Sequence, residues 1–530
     1  MSNTLKLPQT AYKWALKHLV LEGDTDLFPP MFEIQAIKYT WTEIIDELRK
    51  LDIGTYKWKG GRRFLVPKEQ YFLRSATQLD PLDNIILAAI IKKYGSFIER
   101  IRLPLSDNRV FSYRFDPTSS GRFYGEKSYW EQFWKVSLDK AKKTKWVVVT
   151  DITDYYNQIY HHVLENQLRK AHIPEPACKA LTTFISSLSQ GVTRGIPVGP
   201  HATHLLAECA LDPIDRSLLS HGLDFCRYVD DFHLFCETEE AAEIAIHDLA
   251  EILDQQQRLT VQRQKTKIMP SSEFQELAKT TLHGRPLNQR EAQILAVIKA
   301  HARDDPYQTF GLEDLDDKDL DTISRENLDE LLDIYLANIP ESYPHIKWLL
   351  RRLTQIGAPG AIDAVLRNLI DFQPVLGDVA RYLVRATANY TGDFAAAGQL
   401  LLTALEHPVA KHNDYIQVIL INLFSRIPSL DHIDSLTAKY ASVNPAVRRE
   451  IVVVAGRSGH GHWIKERKDE FASADPWLRR AILQATSSLP GDEAKHWINK
   501  IKDRLEPLEK PVAKWTLKKK TMKLGEIKIT

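Results

Sequence analysis

A run of β-branched residues, Trp146-Val147-Val148-Val149-Thr150, ends at Asp151. Such a run reads as a buried strand. A charge that closes a buried strand has to be offset by something nearby. Two further apolar runs, Phe225–Tyr228 and His233–Cys236, flank Val229-Asp230-Asp231-Phe232, the pattern of a hairpin whose turn carries two adjacent like charges. Turns favour Asp in any case, but two carboxylates pinned to a core sheet repel each other and call for a cation. If strand and hairpin are neighbours in one sheet, the three carboxylates converge. Carboxylates so gathered hold the two Mg²⁺ ions that phosphoryl transfer at a nucleotide's α-phosphate requires. Alternation along a strand makes Asp230 the direct ligand and Asp231 a supporting one.

The rest of the chain frames this centre. Residues 12–50 have helical spacing, interrupted at Phe28-Pro29-Pro30, and predict an N-terminal helical extension over 1–60. Strand character is expected at Arg63–Val66, Ile98–Leu103 and Arg109–Phe115, with a helix at Leu82–Tyr94 between the first two. Helices are expected near 162–171, 176–188 and 201–211. After about residue 290 the apolar spacing is helical to the end, past an acidic connection at Glu313–Asp321. There Asn444-Pro445 and Asp475-Pro476 open matching segments, as N-cap and first helical residue. A weaker copy lies near Asp414, and the pattern resembles HEAT-type repeats. The domains are therefore read as 1–60 extension, 61–145 mixed α and β, 146–290 the acidic sheet, and 291–530 helical repeats, an α+β fold followed by an all-α one.

Seventy basic against sixty-nine acidic residues give a net charge of +1, so any grip on nucleic acid must come from local patches. The four cysteines, Cys178, Cys209, Cys226 and Cys236, lack the spacing of a zinc knuckle or a disulfide scaffold and read as core thiols. The apolar run Ile85–Ile91 is too short to cross a bilayer and the first residues do not resemble a signal peptide, so a cytoplasmic protein without membrane contact is expected. His201 and His204 share a helical face but lack a third ligand, and no P-loop is present.

Four segments in order carry a resemblance. Residues 146–160, WVVVTDITDYYNQIY, resemble motif A of reverse transcriptases; residues 195–208, GIPVGPHATHLLAE, resemble a divergent motif B; residues 227–235, RYVDDFHLF, are similar to motif C; and residues 259–268, LTVQRQKTKI, to motif D. The GIPVG form of motif B, and helical repeats where a thumb would stand, resemble the bacterial abortive-infection reverse transcriptases of the AbiK and P-two-prophage type. That resemblance implies fingers over 61–145 and a palm over 146–290. It implies Asp151, Asp230 and Asp231 as catalytic metal-binding residues, with the backbone of Ile152 available to one of two Mg²⁺ ions, Mn²⁺ being the alternative. Tyr156 falls at the sugar-gate position, where a ring excludes a ribose 2′-hydroxyl. Gly195, Ile196 and Pro197 would floor the nascent base pair, Lys265 would meet the pyrophosphate, and Arg102, Arg109 and Arg114 are candidates for the triphosphate.

The activity implied is deoxynucleotide polymerisation without a template, primed from a hydroxyl of the protein and used in antiphage abortive infection. Deoxynucleoside triphosphates, a single-stranded DNA product attached to the chain, and further copies of the chain would be its partners. Tyr12, Thr25 and Tyr39 offer hydroxyls, and none stands out as the primer. The alternatives are an RNA-templated DNA polymerase of retron or intron type, and a non-catalytic scaffold.

Overall fold

The structure, a computed structural model, describes residues 4–23, 27–125, 129–283, 288–301 and 311–519. The chain divides into two compact units, one of residues 1–26, 42–62 and 77–286, the other of residues 27–41, 63–76 and 287–530. The architecture is α+β in the first and helical in the C-terminal part of the second.

A hairpin of β1 (Gly61–Glu69) and β2 (Phe72–Leu79) precedes the main sheet. The main sheet has four antiparallel strands in the order β4 (Phe225–Tyr228), β5 (Asp231–Cys236), β3 (Trp146–Asp151), β6 (Lys267–Pro270). Alternation along the strands sorts their side chains. Val147, Phe235 and Met269 pack with Phe133, Phe274 and Ala278, from helices Tyr129–Ala141 and Ser271–His283. Val148, Phe232 and Leu234 are buried as well, and helix Glu239–Gln257 packs on β5 and β3. The register sets Asp151 opposite Asp231.

Two expected strands are absent. Residues 98–101 continue helix Pro81–Ile101, which starts at the Asp80 cap with Pro81 in its first turn. It stops only at Arg102-Leu103-Pro104, where proline pushes the preceding residue to extended backbone. The stretch 109–115 forms a single bridge, Val110 with Arg227, because Asn108 and Tyr113 take left-handed φ values of 53° and 44°. The partner strand β2 has no counterpart in the sequence reading.

In the second unit, helices Tyr343–Ile356, Leu376–Ala386, Asp414–Arg426, Pro445–Arg457, Pro476–Ala485 and Glu509–Lys519 each pack on the next. Asn413 and Asp475 cap their helices, accepting from Tyr415 and Ile416 N–H and from Trp477 and Leu478 N–H. Asn444 does not cap as expected; its Nδ2 donates to the Asp414 carboxylate at 2.8 and 2.9 Å, tying one helix start to the previous one. The acidic connection holds a short helix, Asp317–Thr322, capped by Asp316. Residues 520–530 lie outside the described residues.

Helix Phe32–Tyr39 belongs to this second unit, so the N-terminal stretch is not one body. The cause is Glu33. Its fully buried carboxylate receives Arg449 at 2.8 and 2.9 Å and Arg480 at 3.2 Å, and the two arginines outweigh burial to hold it below the usual range. Removing one partner of a buried charge cluster strands the rest. Glu33→Ala is expected to cost the helical unit about 3–5 kcal/mol, read as a lower denaturation midpoint in urea; an unchanged midpoint would contradict this assignment.

Candidate active site

Burial dictates how the acidic turn is built. Val229, at its first position, has φ 58°, a conformation β-branched residues rarely adopt. Its N–H donates to Ser112 Oγ at 2.8 Å and its carbonyl accepts from Arg227 Nη1 at 2.8 Å. Arg227 is fully buried and reaches Asp215 at 2.6 and 2.7 Å and Glu208 at 3.1 Å. Ser112 donates to Glu208 in turn, at 2.5 Å, and Arg102 closes the set on Glu208 at 2.7 Å. A network of buried charges thus clamps the turn from below. Sequence reading missed Ser112, Glu208 and Asp215, since their partners lie far along the chain. The only local signal was Arg227 itself, a charge inside an apolar strand.

Above the clamp, Ile152 N–H donates to the Asp230 carbonyl at 3.0 Å, and Gln262 N–H to the Asp151 carbonyl at 2.6 Å. These bonds bring the ends of β3 and β5 and the segment before β6 together. The Asp151 carboxyl stands close enough to that of Asp230 to raise its pKa. Asp151 is buried, Asp230 half-buried and Asp231 exposed. Burial, then the charges of Asp151 and Asp231, push Asp230 up to about 8. Lys265 Nζ forms an ion pair with Asp151 Oδ2. Although partial burial opposes its charge, the bond to Asp151 and the nearby Asp231 and Asp230 hold its ammonium above the usual value.

Among the described residues no three His, Cys, Asp or Glu side chains stand arranged as a ready-made metal cage. The donor set nevertheless suits Mg²⁺. That ion keeps most of its water, takes one or two carboxylates, and draws its remaining oxygens from substrate phosphates. Asp151 and Asp230, brought together at the joined strand ends, are such a pair.

Around them, Tyr155 is the buried core ring, its hydroxyl on the Ala207 carbonyl at 2.6 Å, while its neighbour Tyr156 is half-buried and bonds His204 Nδ1 at 2.7 Å. Gly195 lies beside this loop with φ +92°; its N–H donates to the Ile159 carbonyl at 2.8 Å, and a Cβ there would meet the Asn157 carbonyl oxygen at 3.3 Å. Ile196 N–H follows onto the Tyr156 carbonyl at 2.9 Å, and the Pro197 carbonyl accepts from Thr203 Oγ1 at 2.9 Å. The motif B segment and the segment bearing Tyr156 are therefore one hydrogen-bonded wall.

The three arginines need correction. Arg102 and Arg114 are buried, not strand residues on a surface: Arg102 serves Glu208, Glu99 and the Ser112 and Tyr113 carbonyls, and Arg114 pairs with Glu99 at 3.1 Å and donates to the Leu103 carbonyl. Arg109 pairs with Asp224 at 3.0 Å. All three guanidinium groups are engaged within the fold.

Residues 85–298 match the family profile described as reverse transcriptase (RNA-dependent DNA polymerase). The chain carries a reverse-transcriptase domain. The match spans β3 to β6 with the acidic turn, and it assigns the domain to the nucleotide-polymerising enzymes, a class that works with divalent metal ions. No curated protein matches the chain. Among solved structures, apo telomerase of Candida tropicalis is 9% identical with a TM-score of 0.32, covering 77% of this chain and 69% of that one. Telomerase of Candida albicans with a TWJ fragment of telomeric RNA is 13% identical with a TM-score of 0.29, covering 74% and 65%. A C. tropicalis telomerase truncated from its C-terminal domain is 11% identical with a TM-score of 0.29, covering 40% and 50%. The chain thus spans half to about two thirds of the length of these telomerases.

The raised Asp230 carboxyl links stability to pH in the reverse-transcriptase domain. A folded state that holds a proton more tightly than the unfolded chain has that stabilisation in full below the ordinary value of 3.8 and loses it as pH rises through about 8. In chelator, the unfolding midpoint should fall over this range. Asp230→Asn should flatten the slope, leaving the part due to Asp83, whose buried carboxyl sits at about 7. The same slope in both proteins would contradict the assignment.

Proposed function

We propose that the chain is a metal-dependent DNA polymerase of reverse-transcriptase ancestry that extends a protein-attached strand without a template and acts in antiphage abortive-infection defence. The observation that carries the polymerase reading is the meeting of Asp151 with the acidic turn, Asp151 opposite Asp231 in the strand register and the Ile152 N–H on the Asp230 carbonyl at 3.0 Å. In this reading Asp151 and Asp230 hold Mg²⁺ or Mn²⁺, with Asp231 in support and the Ile152 backbone close by. When bound, the ions supply charge that favours the attacking hydroxyl and the leaving pyrophosphate. Lys265 adds a positive charge at the same carboxylates. The Tyr156 ring excludes a 2′-hydroxyl, and Gly195, Ile196 and Pro197 floor the base pair.

Template independence, protein priming, defence and assembly with further copies rest on the form of motif B and on the helical region that follows the palm. Of the hydroxyls in the N-terminal stretch, Tyr12 is fully buried and Tyr39 is exposed, while Thr25 lies outside the described residues. No helix among the described residues is long and apolar enough to cross a membrane. The family's description as RNA-dependent favours a second reading, a templated polymerase of retron or intron kind.

Purified protein given Mg²⁺ and deoxynucleotides, with no nucleic acid, should acquire covalently attached DNA, detectable as a mass increase. Synthesis that depends strictly on added RNA template would overturn the untemplated reading in favour of the second. Asp230→Asn should lower incorporation by about a thousandfold or more; retained activity would discard the polymerase. Tyr156→Ala should raise ribonucleotide incorporation and leave metal affinity intact, and unchanged discrimination would make the ring structural.

A further inference from the structure

The half-buried Tyr156 is held by a side chain that the polymerase reading leaves without a role. His204 extends from helix His201–Ser220, and its Nδ1 is 2.7 Å from the Tyr156 hydroxyl, with the two rings perpendicular, 5.8 Å apart at 88°. Its imidazole is clamped on the other side by Tyr113, stacked at 4.1 Å and 4°. Tyr113 is itself an unusual residue: a bulky aromatic at φ 44°, where a side chain is strained and persists only when its surroundings force it. Arg102 grips the Tyr113 carbonyl at 3.1 Å, and next to it Ser112 receives the N–H of Val229 in the acidic turn. Tyr124 flanks the pair, 5.0 Å from Tyr113 and 6.3 Å from His204, and its hydroxyl donates to the His201 carbonyl at 2.5 Å. The strained backbone thus delivers one ring to His204 and one hydroxyl to the acidic turn, from adjacent residues.

We propose that His204 is a specificity-determining positioning residue: braced by Tyr113, it locks the Tyr156 hydroxyl and so fixes the ring that tells a deoxyribose from a ribose. The proposal rests on the reading of Tyr156 as the sugar gate. A ring excludes a 2′-hydroxyl only if it cannot swing away. A Tyr ring can stand in more than one staggered rotamer, and a bond at its polar end holds it in one of them. Burial, with His201 nearby, pushes His204 down to about 3, so the imidazole is neutral at ordinary pH and works as a hydrogen-bonding peg, not as a charge on the substrate. Tyr155, one residue earlier, anchors the short helix Tyr155–Gln158 to the Ala207 carbonyl of helix His201–Ser220, so the backbone is held independently of the tether.

The experiment compares deoxy- and ribonucleotide incorporation by the full chain in Mg²⁺ for His204→Phe, which keeps the stacked ring and loses the bond, and Tyr156→Phe, which loses the bond from the other end. Each should lose discrimination by about tenfold, the worth of one hydrogen bond, through a lower KM for the ribonucleotide. The double variant should be no worse than either single. His204→Asn, which returns a polar atom near the Nδ1 position, should recover part of the selectivity. Should His204→Phe fail to fold, Tyr156→Phe reads the same bond. Unchanged discrimination in both Phe variants, with Tyr156→Ala permissive, overturns the tether and leaves the gate standing. Unchanged discrimination in Tyr156→Ala overturns the gate and the tether together. Loss of kcat for both sugars alike would mark His204 as merely structural and overturn the proposal.

Discussion

A buried arginine holds the acidic turn in a backbone shape it would not choose. Arg227 pairs with Asp215 and Glu208 and donates to the Val229 carbonyl, while Ser112, itself bonded to Glu208, accepts the Val229 N–H. Left-handed backbone at a β-branched residue costs on the order of 1–3 kcal/mol and survives only where neighbours dictate it. Buried ion clusters add little net stability compared with apolar packing, but deleting one member strands the others. The network therefore serves geometry: it sets where Asp230 and Asp231 stand relative to Asp151.

That arrangement is electrostatically unfinished. Asp230 retains its proton to about pH 8 because burial and its two acidic neighbours disfavour its charge, and Lys265 is the one ammonium paired to Asp151 among the described residues. In the proposed function a divalent cation held by Asp151 and Asp230 would offset that repulsion. The loop of Ser112 and Tyr113 couples this centre to the wall of Tyr156 and His204. In the proposed function, metal position and sugar discrimination would both depend on this one short segment.

The parts legible in the sequence were the local ones. Strand β3, the acidic turn and the helices flanking them follow from runs of β-branched residues, alternation and caps, all of which act within a few positions. The helical character past residue 290 was legible for the same reason. The strand expected at 98–103 failed because a well-capped helix simply continued through it. The one at 109–115 failed because two residues adopt left-handed backbone that no pattern of apolar residues announces. Arg102 and Arg114 were misjudged since a guanidinium's partner is chosen by tertiary structure: Glu208 is far along the chain from Arg102, and nothing local marks it. Likewise the choice between Tyr155 and Tyr156, one buried on Ala207 and the other half-exposed on His204, depends on a helix that starts some forty residues later.

The claim on which the account turns is that Asp151 and Asp230 share a divalent ion. Anomalous diffraction from crystals of the protein grown with Mn²⁺ measures this directly. The account predicts a peak within coordination distance of both carboxylates, with the Lys265 ammonium displaced from Asp151. A Mn²⁺ peak elsewhere, with Lys265 still paired to Asp151, would contradict it.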